Sequence, residues 1–254
     1  MATDPTVPAE TLALVQSVSP KIRDTGWLPF FSPVNDRRAT ELGLDIFTFY
    51  FIGRGGPLGD VEWPVVHSAF GYFNPAVIKD SWERGREKVA PREAGRMYLD
   101  GGAEYGREKL AGIEGLAEFC AAAAAVNEAA KGRAEGLSLY AAMSSEPLAD
   151  DPPARAMQLV TVLREFRGSA HLLAIVASGL RPIEAHYIAR PEMFGIFGWS
   201  ESDAPVVGDE HRQRLEDASE LTDRLVAPAF GVLDETGAKA LIAGIDAIEA
   251  ALTS

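Results

Sequence analysis

Residues 169–190 read SAHLLAIVASGLRPIEAHYIAR. The first ten are mostly apolar and suit a helix, Gly179 stands where the chain must turn, and Pro182 takes an early position in a second helix. Helix, glycine-centred turn and second helix is the arrangement many DNA-binding proteins use. The surrounding charge has the wrong sign for that use. From residue 181 to 254 there are 14 acidic and 6 basic residues, a net of −8. Such a field pushes phosphate away. Either the acidic side faces elsewhere, or the scaffold was kept and DNA binding lost.

Working outward, helical signals dominate. Pro152-Pro153 behind Asp151 starts a helix, ARAMQLVTVLREFRG, with Met157, Val160, Leu163 and Phe166 on one stripe and an end at Gly168. A first helix carries Leu12, Val15 and Val18 and is expected to stop before Pro20. Asp36 is read as the cap of one helix running to Gly56, and Asp60 as the cap of VEWPVVHSAFGYF. Asn74-Pro75 opens AVIKDSWERGREK, and residues 91–134 form a long helical stretch with Gly101-Gly102 as its candidate interruption. The tail makes two amphipathic helices split near Pro228.

The expected fold is therefore mainly α. Two helix-turn-helix or winged-helix-like units in pseudo-repeat (44–84 and 154–190) are joined by long helices. The matched landmarks are Arg54-Gly55 with Arg167-Gly168, His67 with His171, and Pro75 with Pro182. The partition is 1–90 for the first unit, 91–150 for connecting helices and linker, and 151–254 for the second unit plus the amphipathic tail. No Gly- and Arg-rich β-wing follows residue 190.

Composition limits the function classes. The 254 residues are 47% hydrophobic, enough for a substantial core, and the net charge of −13 disfavours nucleic acid as a partner. The start, MATDPTVPAE, has neither a basic nor an apolar stretch, and no apolar run approaches the ~20 residues of a membrane span. A cytoplasmic protein is expected. Cys120, the single cysteine, lies in the alanine-rich run EFCAAAAAV and reads as a small buried side chain.

These stretches resemble an actinobacterial family of SalK-like helix-turn-helix proteins. The resemblance rests on FIGRGGPLG (51–59), FGYFNPAVI (70–78), LREFRGSAHLLAIVASGL (163–180), FGWSESD (197–203) and RLEDASELTDRLVAPAF (214–230). It implies two degenerate winged-helix units joined by helices, and it supplies a fold more than an activity.

No GxSxG, HExxH, CxxC pair or phosphate-loop lysine is present, and GRGGPLG (53–59) reads as a tight turn between helices. The aromatic density is more informative. Phe47, Phe49, Tyr50, Phe51, Phe70, Tyr72 and Phe73 lie within 27 residues. They fill a core, or some of them line a cavity for a flat apolar ligand. In that second case Phe49, Phe70 and Phe73 supply walls, and Arg54, His67, Asn74, Arg164, Arg167 and His171 supply polar contacts. His171 caps a helix junction, contacts a ligand or a haem iron, or performs acid–base work. His186 and His211 are read as surface residues.

Three functions fit. One is a small-molecule-binding protein with its ligand, apolar or aromatic, between the two units. Another is a DNA-binding regulator whose groove helix is 75–88, through Lys79, Arg84, Arg86 and Lys88, with Arg92 just beyond. The third is an enzyme of specialised metabolism using His171, Arg167, Arg54 or Tyr140. A homodimer is expected, because regulators of this shape usually pair.

Overall fold

The computed structural model describes residues 7–253, so residues 1–6 of the stretch judged to lack a signal peptide lie outside it. Its α-helices are α1 (Ala9–Thr25), α2 (Pro33–Glu41), α3 (Ile46–Gly55), α4 (Trp63–Phe70), α5 (Pro75–Arg86), α6 (Pro91–Lys109), α7 (Leu116–Lys131), α8 (Ser138–Met143), α9 (Pro152–Ala177), α10 (Pro182–Ala189), α11 (Asp209–Phe230) and α12 (Glu235–Thr253). No strand occurs among the described residues, so the fold is mainly α and no β-wing is present among them.

The turn that opened the reading is built as its sequence demands. Gly179 has φ of +76° and ends α9 with a paired closure, Leu180 N–H donating to Ile175 O (3.1 Å) and Gly179 N–H to Val176 O (3.1 Å). Pro182 then starts α10, and the Glu184 carboxylate reaches back to accept from Arg181 N–H at 2.9 Å. Ala174, Ile175, Leu180, Ala185 and Ala218 close a small apolar cluster over this corner.

Several expected boundaries move. The helix opened by Asp151 does not end at Gly168 but runs 26 residues to Ala177, so Arg167-Gly168 is not a turn and does not match Arg54-Gly55. A helix interior tolerates one glycine at a cost of about 1 kcal/mol, and burial along α9 outweighs it. Likewise α1 runs through Pro20, because continuation buries Ile22. The helix assigned to Asp36 is two helices. Ser32 caps α2, Gly43 at φ +68° breaks it, and Asp45 caps α3 by accepting from Thr48 N–H at 2.9 Å. Asp60 does not cap α4, which starts at Trp63; it pairs with Arg86 instead. Pro228 lies inside α11, and the break before α12 follows Phe230.

Two cores result. In one, α1, α6, α7, α9, α11 and α12 bury Val18, Phe119, Val126, Val160, Leu163, Val226 and Ile245. The other is aromatic: Phe49, Phe51, Phe70, Phe73, Trp82 and Tyr98 from α3 to α6. Close helix approach in the second depends on Gly53, where an added Cβ would stand 2.7 Å from the Tyr98 ring. Residues 9–25 pack on α9, α11 and α12. Helix α9 supplies Met157, Val160, Leu163, Phe166 and Ala170 to the first core and Ala174 and Ile175 to the small cluster at the corner.

Candidate functional site

A cavity of about 390 Å³ lies between α1, α3, α9, α10, α11 and the end of α4 with residues 71–73, within the size range of small-ligand sites. Helix α9 contributes one face through the spacing of Arg164, Arg167, Gly168, His171 and Ile175. Helix α3 presents Tyr50 and Arg54, one turn apart. Phe70, Tyr72 and Phe73 form an aromatic side. Phe197 completes it, stacked on Phe73 at 4.0 Å and 11°, with the His186 ring at 4.0 Å. The segment carrying Phe197 is tied down by Asn74 N–H to Phe197 O and Trp199 Nε1–H to Tyr72 O, both 2.9 Å.

A buried ion network forms the floor. Arg54 holds Glu165 with two bonds, Nε to Oε1 at 2.9 Å and Nη2 to Oε2 at 2.7 Å. Its Nη1 donates to Tyr50 Oη at 2.9 Å, and its guanidinium lies 4.3 Å over the Phe70 ring. Arg164 Nη1 donates to the same Glu165 Oε1 at 2.7 Å. Burial alone would raise the Glu165 carboxyl, but the charges of Arg54 and Arg164 overcome it and hold it below the ordinary range. Burial also works against the Arg54 charge, and Glu165 reverses that, raising its pKa.

His171 has a definable tautomer. Its Nδ1 lies 2.8 Å from Thr222 Oγ1, whose own proton goes to Ala218 O at 2.6 Å. Nδ1 therefore carries the hydrogen, and Nε2 keeps its lone pair. Burial, helped by the positive Arg167, lowers the His171 pKa to about 4, so the ring is neutral at pH 7. Burial lowers His186 as well. Arg167 Nη2 donates to Asp223 Oδ1 at 2.9 Å.

Four buried polar atoms of residues that line the cavity have no hydrogen-bond partner: Tyr72 Oη, Arg164 Nε, Arg167 Nε and His186 Nε2. Burial raises the Tyr72 pKa, opposed by Arg54 and Arg167, so its hydroxyl stays protonated.

Of the residues expected to bind ligand, Arg54, Phe70, Phe73, Arg164, Arg167 and His171 line the cavity. Three do not. Phe49 is buried against Tyr98 (6.1 Å), Asn74 caps α5 by accepting from Ala76 N–H at 2.9 Å, and His67 faces Trp63 on α4. Tyr140 is also elsewhere, its hydroxyl 2.9 Å from Asn127 Oδ1. Cys120 is buried and its thiol is pushed up to about 11 by that burial. His186, read as a surface residue, is only 6% exposed, because the 194–199 segment folds over it. Tyr50, Tyr72, Glu165 and Phe197 were not singled out as contacts. A signal existed for Glu165, the one carboxylate of α9, set between two arginines.

The groove-helix candidates stand on the opposite kind of surface. Arg84 pairs with Asp45 (3.0 Å) and Asp80 (3.1 Å), and Arg86 with Asp60 (2.8 Å) and Glu62 (3.6 Å). Lys79 and Lys88 are exposed among Asp80, Glu83 and Glu87, and Arg92 pairs with Glu146 at 3.0 Å. Helix α10 contains no Lys or Arg. No cluster of metal-ligating side chains occurs among the described residues, and none of the described helices is long and apolar enough to cross a membrane.

The model of a helix-turn-helix family matches residues 16–254. No curated protein and no solved structure matches the chain.

Proposed function

The chain belongs to this helix-turn-helix family, and from that premise we propose that it is a small-molecule-binding protein whose ligand occupies the cavity between α3, α9 and α10. On the sequence stretches quoted above we also assign it to the SalK-like branch of the family. One observation carries the binding reading: four unpartnered buried polar atoms belong to residues that line one aromatic-walled space. Buried polar groups are ordinarily satisfied, and each one left alone costs about 1–3 kcal/mol. A ligand with complementary atoms recovers that cost, while the rings of Phe70, Phe73 and Phe197 suit a flat apolar body.

The second reading, a DNA-binding regulator, has family membership and the α9–α10 turn in its favour. The charge pattern opposes it, since the arginines of α5 are already engaged by carboxylates and α10 has no cation to offer phosphate.

The test is a thermal-shift and fluorescence titration of the full chain with planar aromatic compounds of one to three rings. Half-exposed Trp27 lies on the cavity wall and reports occupancy. A bound compound raises the melting temperature with concentration, by about 2.7 kcal/mol of stability at a hundredfold excess over Kd. Ala69→Phe puts a ring at a lining position, replaces none of the polar side chains and should abolish the shift. Unchanged binding in that variant, or no binding by any compound, overturns the reading.

A further inference from the structure

The cavity wall holds more positive charge than its own carboxylates offset. Arg54 and Arg164 share the single buried carboxylate of Glu165, whose Oε1 accepts from both at 2.9 and 2.7 Å. Arg167 has Asp223 for itself. Arg23, bonded to Asp24, and Arg190 also line the cavity, so its wall carries a net positive charge.

The unpartnered atoms point the same way. The Nε–H groups of Arg164 and Arg167 can only donate, and a guanidinium does not give up its proton. The Tyr72 hydroxyl, held protonated by burial, is a third buried group without a partner, and both Arg54 and Arg167 act on it electrostatically. Three of the four unpartnered groups are donors on a wall of net positive charge, which calls for an anion that accepts their hydrogens.

Resting on the cavity reading above, we infer that the ligand is an aromatic carboxylate, its charged end against Arg164, Arg167 and Tyr72 and its ring against Phe70 and Phe73. A carboxylate offers about four acceptor sites and one negative charge. Its charge is opposite to that of the wall, and its planar pair of oxygens fits the edge of a guanidinium. The net charge of −13 does not forbid entry, since fields from exposed groups fade beyond about 8 Å at physiological salt.

The experiment is calorimetric titration of the full chain with benzoate, 2-naphthoate and anthracene-9-carboxylate, each beside its neutral carboxamide, and with 2-naphthyl phosphate. At least one carboxylate is expected to bind about tenfold or more tighter than its amide, and 2-naphthyl phosphate more weakly than 2-naphthoate. In Arg164→Gln, and in Arg167→Gln/Asp223→Asn, which removes both members of the second ion pair, acid and amide affinities should converge while the amide keeps its own. Circular dichroism establishes that these variants are folded. Should they not be, the wild-type acid-to-amide ratio decides alone. Equal binding of acid and amide to the wild type overturns the charge assignment and leaves the cavity reading standing. A phosphate that binds tightest overturns the carboxylate. Failure of every acid and every amide to bind overturns both this inference and the cavity reading.

Discussion

Helices α5 and α9 each carry two closely spaced arginines, and the two pairs live in opposite circumstances. On α5, Arg84 and Arg86 face Asp45, Asp80, Asp60 and Glu62 from the surface, where water serves any group left over. On α9, Arg164 and Arg167 are anchored by carboxylates yet keep a buried Nε–H with nothing to bond. The difference separates charge that has been neutralised in place from hydrogen-bonding capacity held in reserve. Only the second kind has use for a guest, and a count of basic residues along the sequence does not distinguish them.

The comparison breaks most visibly at Glu165. Glu165→Ala leaves Arg54 buried and uncompensated, and chemical denaturation should register a loss of about 3–5 kcal/mol. The double variant Glu165→Ala/Arg54→Met should recover much of that loss. Full stability in the single variant would mean that the network is not held by charge.

Acid titration should give the next largest effect. The His171 pKa is lowered in the fold to about 4, against an ordinary 6.5. The unfolded chain therefore binds the proton more readily between those values. The stabilising contribution is complete above pH 6.5, declines as pH falls towards 4, and changes no further below that. The loss reaches up to roughly 3 kcal/mol, and His186 adds to it in the same direction. His171→Asn should flatten this limb of a stability–pH curve, and an unaltered slope would show that His171 is not its source.

The α5 pair should respond weakly. Arg84→Ala and Arg86→Ala each remove surface ion pairs, Arg84 with a side chain 52% exposed, and should cost under about 1 kcal/mol by urea unfolding. Smallest of all is the expected effect of replacing Lys79, Arg84, Arg86 and Lys88 together with Gln on DNA retention. A gel shift with duplex DNA at low salt should show no complex for either protein. A complex formed by the wild type and lost in the variant would return α5 to the role of groove helix.

The sequence made the corner at Gly179 readable because its requirement is local. A helix end needs a left-handed residue there, and glycine supplies it. Gly168 looks the same in sequence, yet the helix continues through it, since burial along α9 decides the matter and burial is not local. The same contrast governs the cavity. Arg164, Arg167 and His171 could be gathered in advance because helical spacing puts them on one face. Glu165 meets Arg54 across 111 residues, and His186 is covered by an aromatic segment with no periodicity to announce it. Phe49 belongs to the same aromatic run, but one helical position from Tyr50 turns it about 100° away, into the Tyr98 contact.

The unbroken run of α9 gives the molecule a fixed phase. Asp151 sets the zero of the helix, and everything from Met157 in the first core to His171 on the cavity is then specified by arithmetic alone. One residue inserted after Val160 would rotate Arg164, Arg167 and His171 together by about 100° while leaving the N-terminal half in place. The exposed turn at residues 111–115 carries no such constraint and can absorb changes in length. Insertions and deletions among relatives should therefore gather in turns of that kind and spare the 26 residues from Pro152 to Ala177.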